Sequence, residues 1–450
     1  MKSVRRIKKL LRTKTLPVIM VIAFIISGTI TFAQEKPAVN KFDLKDCIDY
    51  ALKNQATVRN QELSESISKE NVKEVFSQFL PQITAGATYQ YNINRQTSVI
   101  GGNTILIGAP HQLQGFVDVK QTIFDPGLLG SSTGARLEAN LSSQNTRLSK
   151  IDLVSNVMKA YYGVLVSREQ LTLLDANISR TEKSLHDTKY QYENGLAQKV
   201  DVDRIQVLVN NAVTQKANAV RNLNTQMQSL KYYMGMPVKD SLGITGIISD
   251  SLLSEVSPVS DNQLYKNRVE YSQAQTELEL SQLLQTNVIR SYLPTLSAFY
   301  TYEAPFYGNK FNEMFNKTYY PTSNVGLQLS IPIFTGLKRI YQDQAAKMNV
   351  EISNNNLADL KNNIELEYNK DYSQYQNDMD NLKTQEENIK LAKLNYDNLK
   401  YQYDNGVQPL IEVLNAETTL LQAQDDYINA LYQALINKVD LDKSLGRIQY

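Results

Sequence analysis

Ile83-Thr84-Ala85-Gly86-Ala87-Thr88-Tyr89-Gln90-Tyr91-Asn92-Ile93-Asn94 alternates without a break. Every odd position is apolar or aromatic, and every even one is glycine or polar. Successive side chains of a strand point to opposite faces, so the spacing predicts a strand over residues 83–94 with one oily and one wet face. The same rhythm predicts strands over 115–124, 295–304 and 323–334. There Val117, Val119 and Ile123 alternate with Asp118, Lys120 and Thr122; Leu296, Ala298, Tyr300 and Tyr302 with Thr295, Ser297 and Thr301; Val325, Leu327, Leu329, Ile331 and Ile333 with Asn324, Gly326, Gln328 and Ser330. Strands of about 10 residues suffice to cross a bilayer when tilted. Tyrosines gather toward the strand ends, as in an interfacial girdle.

Four strands cannot close a barrel, and an open edge is not tolerated in lipid. Closure then needs several chains. Two copies would give eight strands, a barrel normally filled by its own side chains, and three would give twelve and leave room for a duct. The connections 95–112 and 305–321 are rich in Gly, Asn and Tyr and suit the cell exterior. His111 falls in the first of them and is expected to be solvated.

Outward from the strands the rhythm changes. Residues 132–193 and 338–403 contain no proline and almost no glycine. Sixty residues of helix span about 90 Å, more than a globular core requires. The apolar period is 3.5: Leu382, Gln385, Ile389, Ala392, Tyr396, Leu399 and Tyr403 on one segment, and Val413, Ala416, Leu420, Ala423, Tyr427, Ala430 and Ala434 on the next. That predicts coiled-coil packing, and the Ala-rich stripe allows close approach. A second stripe, Leu391, Leu394 and Tyr401, flanks the first, as a helix in a cylinder wall with two neighbours requires. Each long segment ends at Asn-Gly (Asn194-Gly195, Asn405-Gly406), where glycine supplies the left-handed residue that stops a helix.

The chain also repeats itself. Tyr190-Gln191-Tyr192-Glu193-Asn194-Gly195 returns 211 residues later as Tyr401-Gln402-Tyr403-Asp404-Asn405-Gly406, and Leu80-Pro81-Gln82-Ile83 returns as Leu293-Pro294-Thr295-Leu296. Ile123-Phe124-Asp125-Pro126-Gly127-Leu128 matches Ile333-Phe334-Thr335-Gly336-Leu337 with one residue removed, and Gly235 parallels Gly446. Near-constant offsets at four landmarks indicate a two-fold internal repeat. The predicted organisation is a first repeat over 34–240 with its hairpin tip at 194–198, a linker over 241–262, and a second repeat over 263–450 with its tip at 404–409.

Residues 1–33 read as a cleavable secretory leader: seven Lys/Arg and no acid, an apolar run from Leu16 to Ile26, and Thr31-Phe32-Ala33 before Gln34. Without them the chain carries 40 basic and 46 acidic residues, which argues against a nucleic-acid binder. The lone Cys47 cannot form an internal disulfide and reads as a small buried hydrophobe. With only His111 and His186 as imidazoles, and with no phosphate loop or zinc pattern, catalysis has little to work with. The carboxylate pairs Asp425-Asp426 and Glu386-Glu387 lie on helical stretches with no sign of a pocket. No cofactor and no metal are expected.

In both halves the order is Leu-Pro, alternating strand, loop, strand, a Phe–Gly turn (Phe-x-Gly in the second half, one residue longer in the first), long helix, and then, in the second, Tyr-x-x-Gly followed by Val413-Leu414-x-Ala416. That order resembles the TolC-type outer membrane efflux family over nearly all of the chain beyond the leader. The resemblance implies an α+β membrane protein: a homotrimer whose 12-stranded β-barrel takes four strands per chain and continues into a long coiled-coil α-helical barrel. It implies an exit duct for drugs, metals or proteins in efflux or type I secretion, working with a periplasmic adaptor and an inner-membrane transporter. It places a mixed equatorial region near residues 236–262. It puts Glu412 and Asn415 at the periplasmic aperture, with Asp201 equivalent in the first half, and it puts Asn194, Gly195, Leu196, Asn405, Gly406 and Val407 where the adaptor touches. In some members an Arg at the position of Gln408 locks the closed tip to an Asp. Here that pair cannot form. Tyr403 matches the family's locking Tyr, and Val200 stands where its hydroxyl partner would be. The alternative is a periplasmic adaptor or coiled-coil scaffold, which would carry one hairpin between soluble β-domains.

Overall fold

The computed structural model describes residues 41–248, 253, 256–258, 261–315 and 319–450. The predicted leader (1–33) lies outside the described residues, as does part of the predicted linker.

The chain opens with β1 (Lys41–Phe42), α1 (Leu44–Asn54) and α2 (Ala56–Ser77). A reciprocal capping box between Asp43 and Asp46 starts α1. Next come β2 (Gln82–Tyr91), a small hairpin β3 (Gln96–Ile100) and β4 (Asn103–Ile107), and β5 (His111–Phe124). The helical hairpin α3 (Pro126–Glu193) and α4 (Lys199–Met234) follows, then β6 (Gly243–Ile244), α5 (Asp261–Lys266) and α6 (Val269–Arg290). The second half continues with β7 (Thr295–Gly308), a 3-10 turn at Phe311–Phe315, β8 (Thr322–Ser330), α7 (Lys338–Asp404) and α8 (Leu410–Ser444).

Four strands form one antiparallel sheet in the order β2-β5-β7-β8, and among the described residues β2 and β8 are free edges. The alternation is realised across all four. Val117 pairs with Ala85 and Tyr302, and Ala298 pairs with Leu327, so the apolar residues share one face.

The bounds differ from the sequence reading for local reasons. β2 begins at Gln82 and stops at Tyr91, before Asn92, whose N–H turns to the Pro110 carbonyl at 2.8 Å. β5 starts at His111, and β7 runs on to Gly308 because the two pair along their length. β8 stops at Ser330 rather than 334: Pro332 lacks the N–H a ladder needs. A register shift between Thr122 and Phe124 breaks the alternation at Ile123 and sets Phe124 opposite Leu296. The connection 95–112 is largely the β3-β4 hairpin, turned by Gly101 and Gly102 at φ 63° and 84°.

Helix α3 is unbroken for 68 residues and α7 for 67, each about 100 Å long. Asp125 caps α3 through bonds from Gly127 and Leu128 N–H, with Pro126 in the first turn. α7 has no side-chain cap, and its N-cap Leu337 has φ 65°.

The main core lies at mid-length. There α1, the start of α2, the middle of α3 and the ends of α4 and α8 bury Val58, Val157, Val164, Leu230, Met234 and Leu435. Cys47 sits inside it, fully buried, and burial raises its thiol to about 12. The two halves are jointed alike. Gln55, between α1 and α2, donates from Nε2 to the Tyr232 carbonyl at 3.0 Å, and Arg268, before α6, donates from its guanidinium to the Ser444 carbonyl at 2.9 Å. Gly235 and Gly446, at φ 69° and 65°, press on those same joints: a Cβ would come within 2.8 Å of Gln55 Cα or of Asn267.

Candidate functional site

Two surfaces are built to do work: the faces of the sheet and the lower ends of the helical hairpins. On the sheet, the apolar face exposes Ile83, Tyr89, Tyr91, Tyr300, Val325, Leu327 and Leu329. Water would leave such a patch uncovered at a large cost, so it needs an apolar neighbour. The opposite face carries Thr84, Gln114, Asp118, Lys120, Thr301, Glu303 and Gln328. His111 belongs to neither a loop nor bulk solvent. It pairs with Tyr91 on β2, shares a hydrogen bond of 2.8 Å with the Tyr89 hydroxyl, and lies against the rings of Tyr91 and Phe311. No helix among the described residues is long and apolar enough to cross a membrane.

At the lower ends the two tips have the same geometry. Gly195 and Gly406 both sit at φ 75°. Leu196 N–H donates to the Gln191 carbonyl at 2.8 Å and Val407 N–H to Gln402 at 2.9 Å, the Schellman closure of a helix end. Asn194 and Asn405 each turn Nδ2 back to a tyrosine carbonyl four residues earlier, at 2.8 and 2.7 Å. The result is a pair of apolar knobs: Leu196 is 80% exposed and Val407 70%.

The predicted aperture residues divide. Glu412 and Asn415 lie exposed on one stripe of α8 together with Thr419 and Gln422. Asp201 is engaged at the start of its own helix. Its carboxylate closes the capping box with Gln198, accepting from that backbone N–H at 3.3 Å, and approaches Arg204 at 3.8 Å. Tyr403 is turned inward, where it packs with Leu185, Ile205, Leu410 and Leu414. Its hydroxyl donates to Gln191 Oε1 at 2.9 Å, tying α7 to α3. Burial, first of all, raises the Tyr403 phenol, with Asp201 and Asp404 acting in the same direction. Gln408 is half-buried beside Pro409, which caps α8.

The helix seams differ in chemistry. Within the second hairpin, Ala392 and Tyr396 meet Val413, Ala416, Leu420 and Ala423, the stripes read from the sequence. Between hairpins, α3 and α8 are joined by a polar ladder. Asp152 pairs with Lys443 at 2.7 Å, Lys159 with Asp440, and Asn177 donates to Gln424 at 2.8 Å. Glu417 is the buried member. Its side chain is 2% exposed; it accepts from Thr181 Oγ1 at 2.9 Å and faces Arg180 at 3.5 Å. Arg180 also donates to Asn177 at 2.8 Å and lies 4.9 Å above the Tyr396 ring.

The sequence reading missed Glu417, though a signal exists. Leu410, Leu414, Glu417, Leu421, Gln424, Ile428, Leu431 and Leu435 form a second 3.5-period stripe on α8, and Glu417 and Gln424 are its polar members. Asp425 also departs from that reading. It lines a cleft of about 250 Å³ with Gln170, Leu174 and Asn218, and burial, then Asp426, raises its carboxyl. No cluster among the described residues has the His, Cys, Asp or Glu grouping to hold a metal.

Comparison with known proteins gives a consistent result. The profile of the outer membrane efflux protein family matches residues 47–236 and 292–447, more than half of the chain. The chain is 24% identical over 413 residues to outer membrane protein TolC of Escherichia coli (strain K12), covering 88% of this chain and 81% of that one. It is 22% identical over 326 residues to alkaline protease secretion protein AprF of Pseudomonas aeruginosa, covering 71% and 66%. Among solved structures, the transmembrane channel CusC aligns with a TM-score of 0.76 over 89% of this chain and 91% of that one, at 18% identity, a likeness of fold.

Proposed function

The chain belongs to the outer membrane efflux protein family, and from that membership we propose how it serves as an outer-membrane exit duct. One observation carries the reading. The sheet has an exposed apolar face, a polar face and two free edges, β2 and β8, and it continues into helices about 100 Å long. An unpaired edge in lipid is untenable, so β8 of one copy pairs with β2 of the next. That contact joins two different surfaces, and such contacts generate rings. Three copies give twelve strands and a lumen wide enough for transport. The helices support the same ring. α2 and α4 expose Leu63, Ile67, Val207 and Val213, while α7 exposes Leu366, Leu391, Leu394 and Tyr401. The second stripe of α7 is then the seam with a neighbouring copy.

In this trimer the tunnel hangs into the periplasm. Three copies of Glu412, with Asn415 one turn on, form an acidic ring at its lower aperture and favour cations. The knobs Leu196 and Val407 meet the periplasmic adaptor, and the adaptor delivers cargo from an inner-membrane transporter. Cargo is a small toxic compound or, as the name of AprF suggests for that protein, an exported protein. The missing tip salt bridge at Gln408 is replaced by the Tyr403–Gln191 bond and the buried Glu417 pair.

Fractionation of a Gram-negative host expressing the full chain tests this. The protein is expected in the outer membrane as a trimer that separates only on heating. A monomer in detergent-free periplasmic extract would refute the duct.

A further inference from the structure

Two phenylalanine rings, besides Tyr307, interrupt the polar face of the sheet. Phe116 on β5 pairs with Gly86 on β2, and Phe299 on β7 pairs with Gly326 on β8. Each ring leans across its glycine. A Cβ on Gly86 would lie 2.5 Å from Phe116 Cζ, and one on Gly326 would lie 2.8 Å from Phe299 Cζ. Any larger residue would push the ring up into the lumen. With glycine beneath, the ring lies down on the backbone, half-buried, and turns its other face to the water.

The register supplies a charge beside each ring, on the strand opposite the glycine. The row through Phe116 reads Gly86, Phe116, Glu303; the row through Phe299 reads Lys120, Phe299, Gly326. Neighbouring strands are about 4.8 Å apart, so each charge stands within the width of a small aromatic molecule stacked on the ring. The two rows are four residues apart on β5, about 13 Å along the strand. They are therefore separate places, and Asp118, midway between them on β5, adds to the negative charge of the first and offsets Lys120 in the second.

We propose that the Phe116–Glu303 row is a transit site for planar aromatic cations. This rests on the reading that the polar face lines the duct, and it adds a substrate class to that reading. The ring offers a stacking platform, and the carboxylate offers a counter-charge to the cationic substituent. Aliphatic cations gain the charge and not the platform. The Phe299 row offers no net counter-charge, because Lys120 beside the ring offsets Asp118, so the two platforms do not act equally on a cationic cargo.

The test is block of single channels formed by the full trimer in planar bilayers, with ethidium as the aromatic cation and tetraethylammonium as the aliphatic one. The ratio of the two blocking constants, measured in the same channel, removes changes in general conductance or insertion. Phe116→Leu keeps bulk over Gly86 but loses the flat face; it is expected to cut the preference for ethidium roughly fivefold. Phe116→Tyr keeps the platform and the preference. Glu303→Gln weakens ethidium block, and Phe299→Leu leaves the ratio within about twofold. An unchanged ratio in Phe116→Leu, or an equal loss in Phe116→Leu and Phe299→Leu, overturns the proposal while leaving the duct intact. A wild-type trimer with no conductance overturns the duct reading and the transit site together.

Discussion

Replacing Glu417 probes the seam that joins the two hairpins. Its carboxylate is almost fully enclosed, with Thr181 at 2.9 Å and Arg180 at 3.5 Å. Removing one member of a buried ion pair costs about 3–5 kcal/mol, because the other charge is stranded. Arg180 is 28% exposed and keeps Asn177 and the Tyr396 ring, so part of that penalty is relieved. Glu417→Ala is therefore expected to cost about 2–3 kcal/mol, a fall of several degrees in the melting of the helical signal. Glu417→Leu combined with Arg180→Met should behave oppositely. It extends an apolar stripe already formed by Leu410, Leu414, Ile428 and Leu431, leaves Gln424 with its Asn177 partner, and strands no charge. The double variant should match the parent or exceed it by about 1 kcal/mol. The assay is circular dichroism at 222 nm in detergent, at one scan rate and one protein concentration, on all four members of the cycle. A loss in the double variant equal to the sum of the singles would show that the pair is not coupled and would refute the reasoning.

Gly235→Ala and Gly446→Ala should each cost more than about 2 kcal/mol, since a left-handed residue would also drive a Cβ into backbone or side chain at 2.8 Å; Gly195→Ala and Gly406→Ala, with nothing within 4 Å, should cost about 1 kcal/mol, all four read by thermal melting. Glu412→Gln should lower cation preference in reversal-potential measurements while the trimer persists; unchanged selectivity would remove Glu412 from the aperture. Burial raises the phenols of Tyr161, Tyr375 and Tyr396 from 10.0 to about 12. The folded state then holds protons that the unfolded chain releases above pH 10, so stability is full below pH 10 and is lost as pH rises through about 12. Phe substitutions at these three positions should flatten the alkaline limb of the melting curve, and an unchanged limb would exclude them as its source.

What could be read beforehand was whatever the local period dictates. Alternation from Ile83 to Tyr91 had one solution, and so did the Asn-Gly stops at Asn194 and Asn405. The apolar stripe Val413, Ala416, Leu420, Ala423 found its partner because a 3.5-residue period specifies a facing helix. Pairing between distant segments was less accessible. That β5 lies beside β7 depends on contacts some 190 residues apart, and that pairing draws His111 into the sheet. The β3-β4 hairpin was legible in principle, as Val99-Ile100-Gly101-Gly102 before Ile105-Leu106-Ile107, but a loop rich in glycine masks two short strands. Glu417 was hidden for another reason. A carboxylate on a helix is normally solvated, and only the neighbouring hairpin, which the period of α8 does not specify, encloses it.

The unbroken limb from Pro126 to Glu193 acts as a ruler. Nothing along it can fold up or extend, so the stand-off between the bilayer and the knobs is written in residue count. Seven residues added to each limb of a hairpin would lower its knob by about 10 Å with the stripes still in phase. Five in each limb would lower it by about 7.5 Å and swing the stripes away from their neighbours. A heptad added to each limb is thus expected to be tolerated where five residues are not, which melting of insertion variants would show.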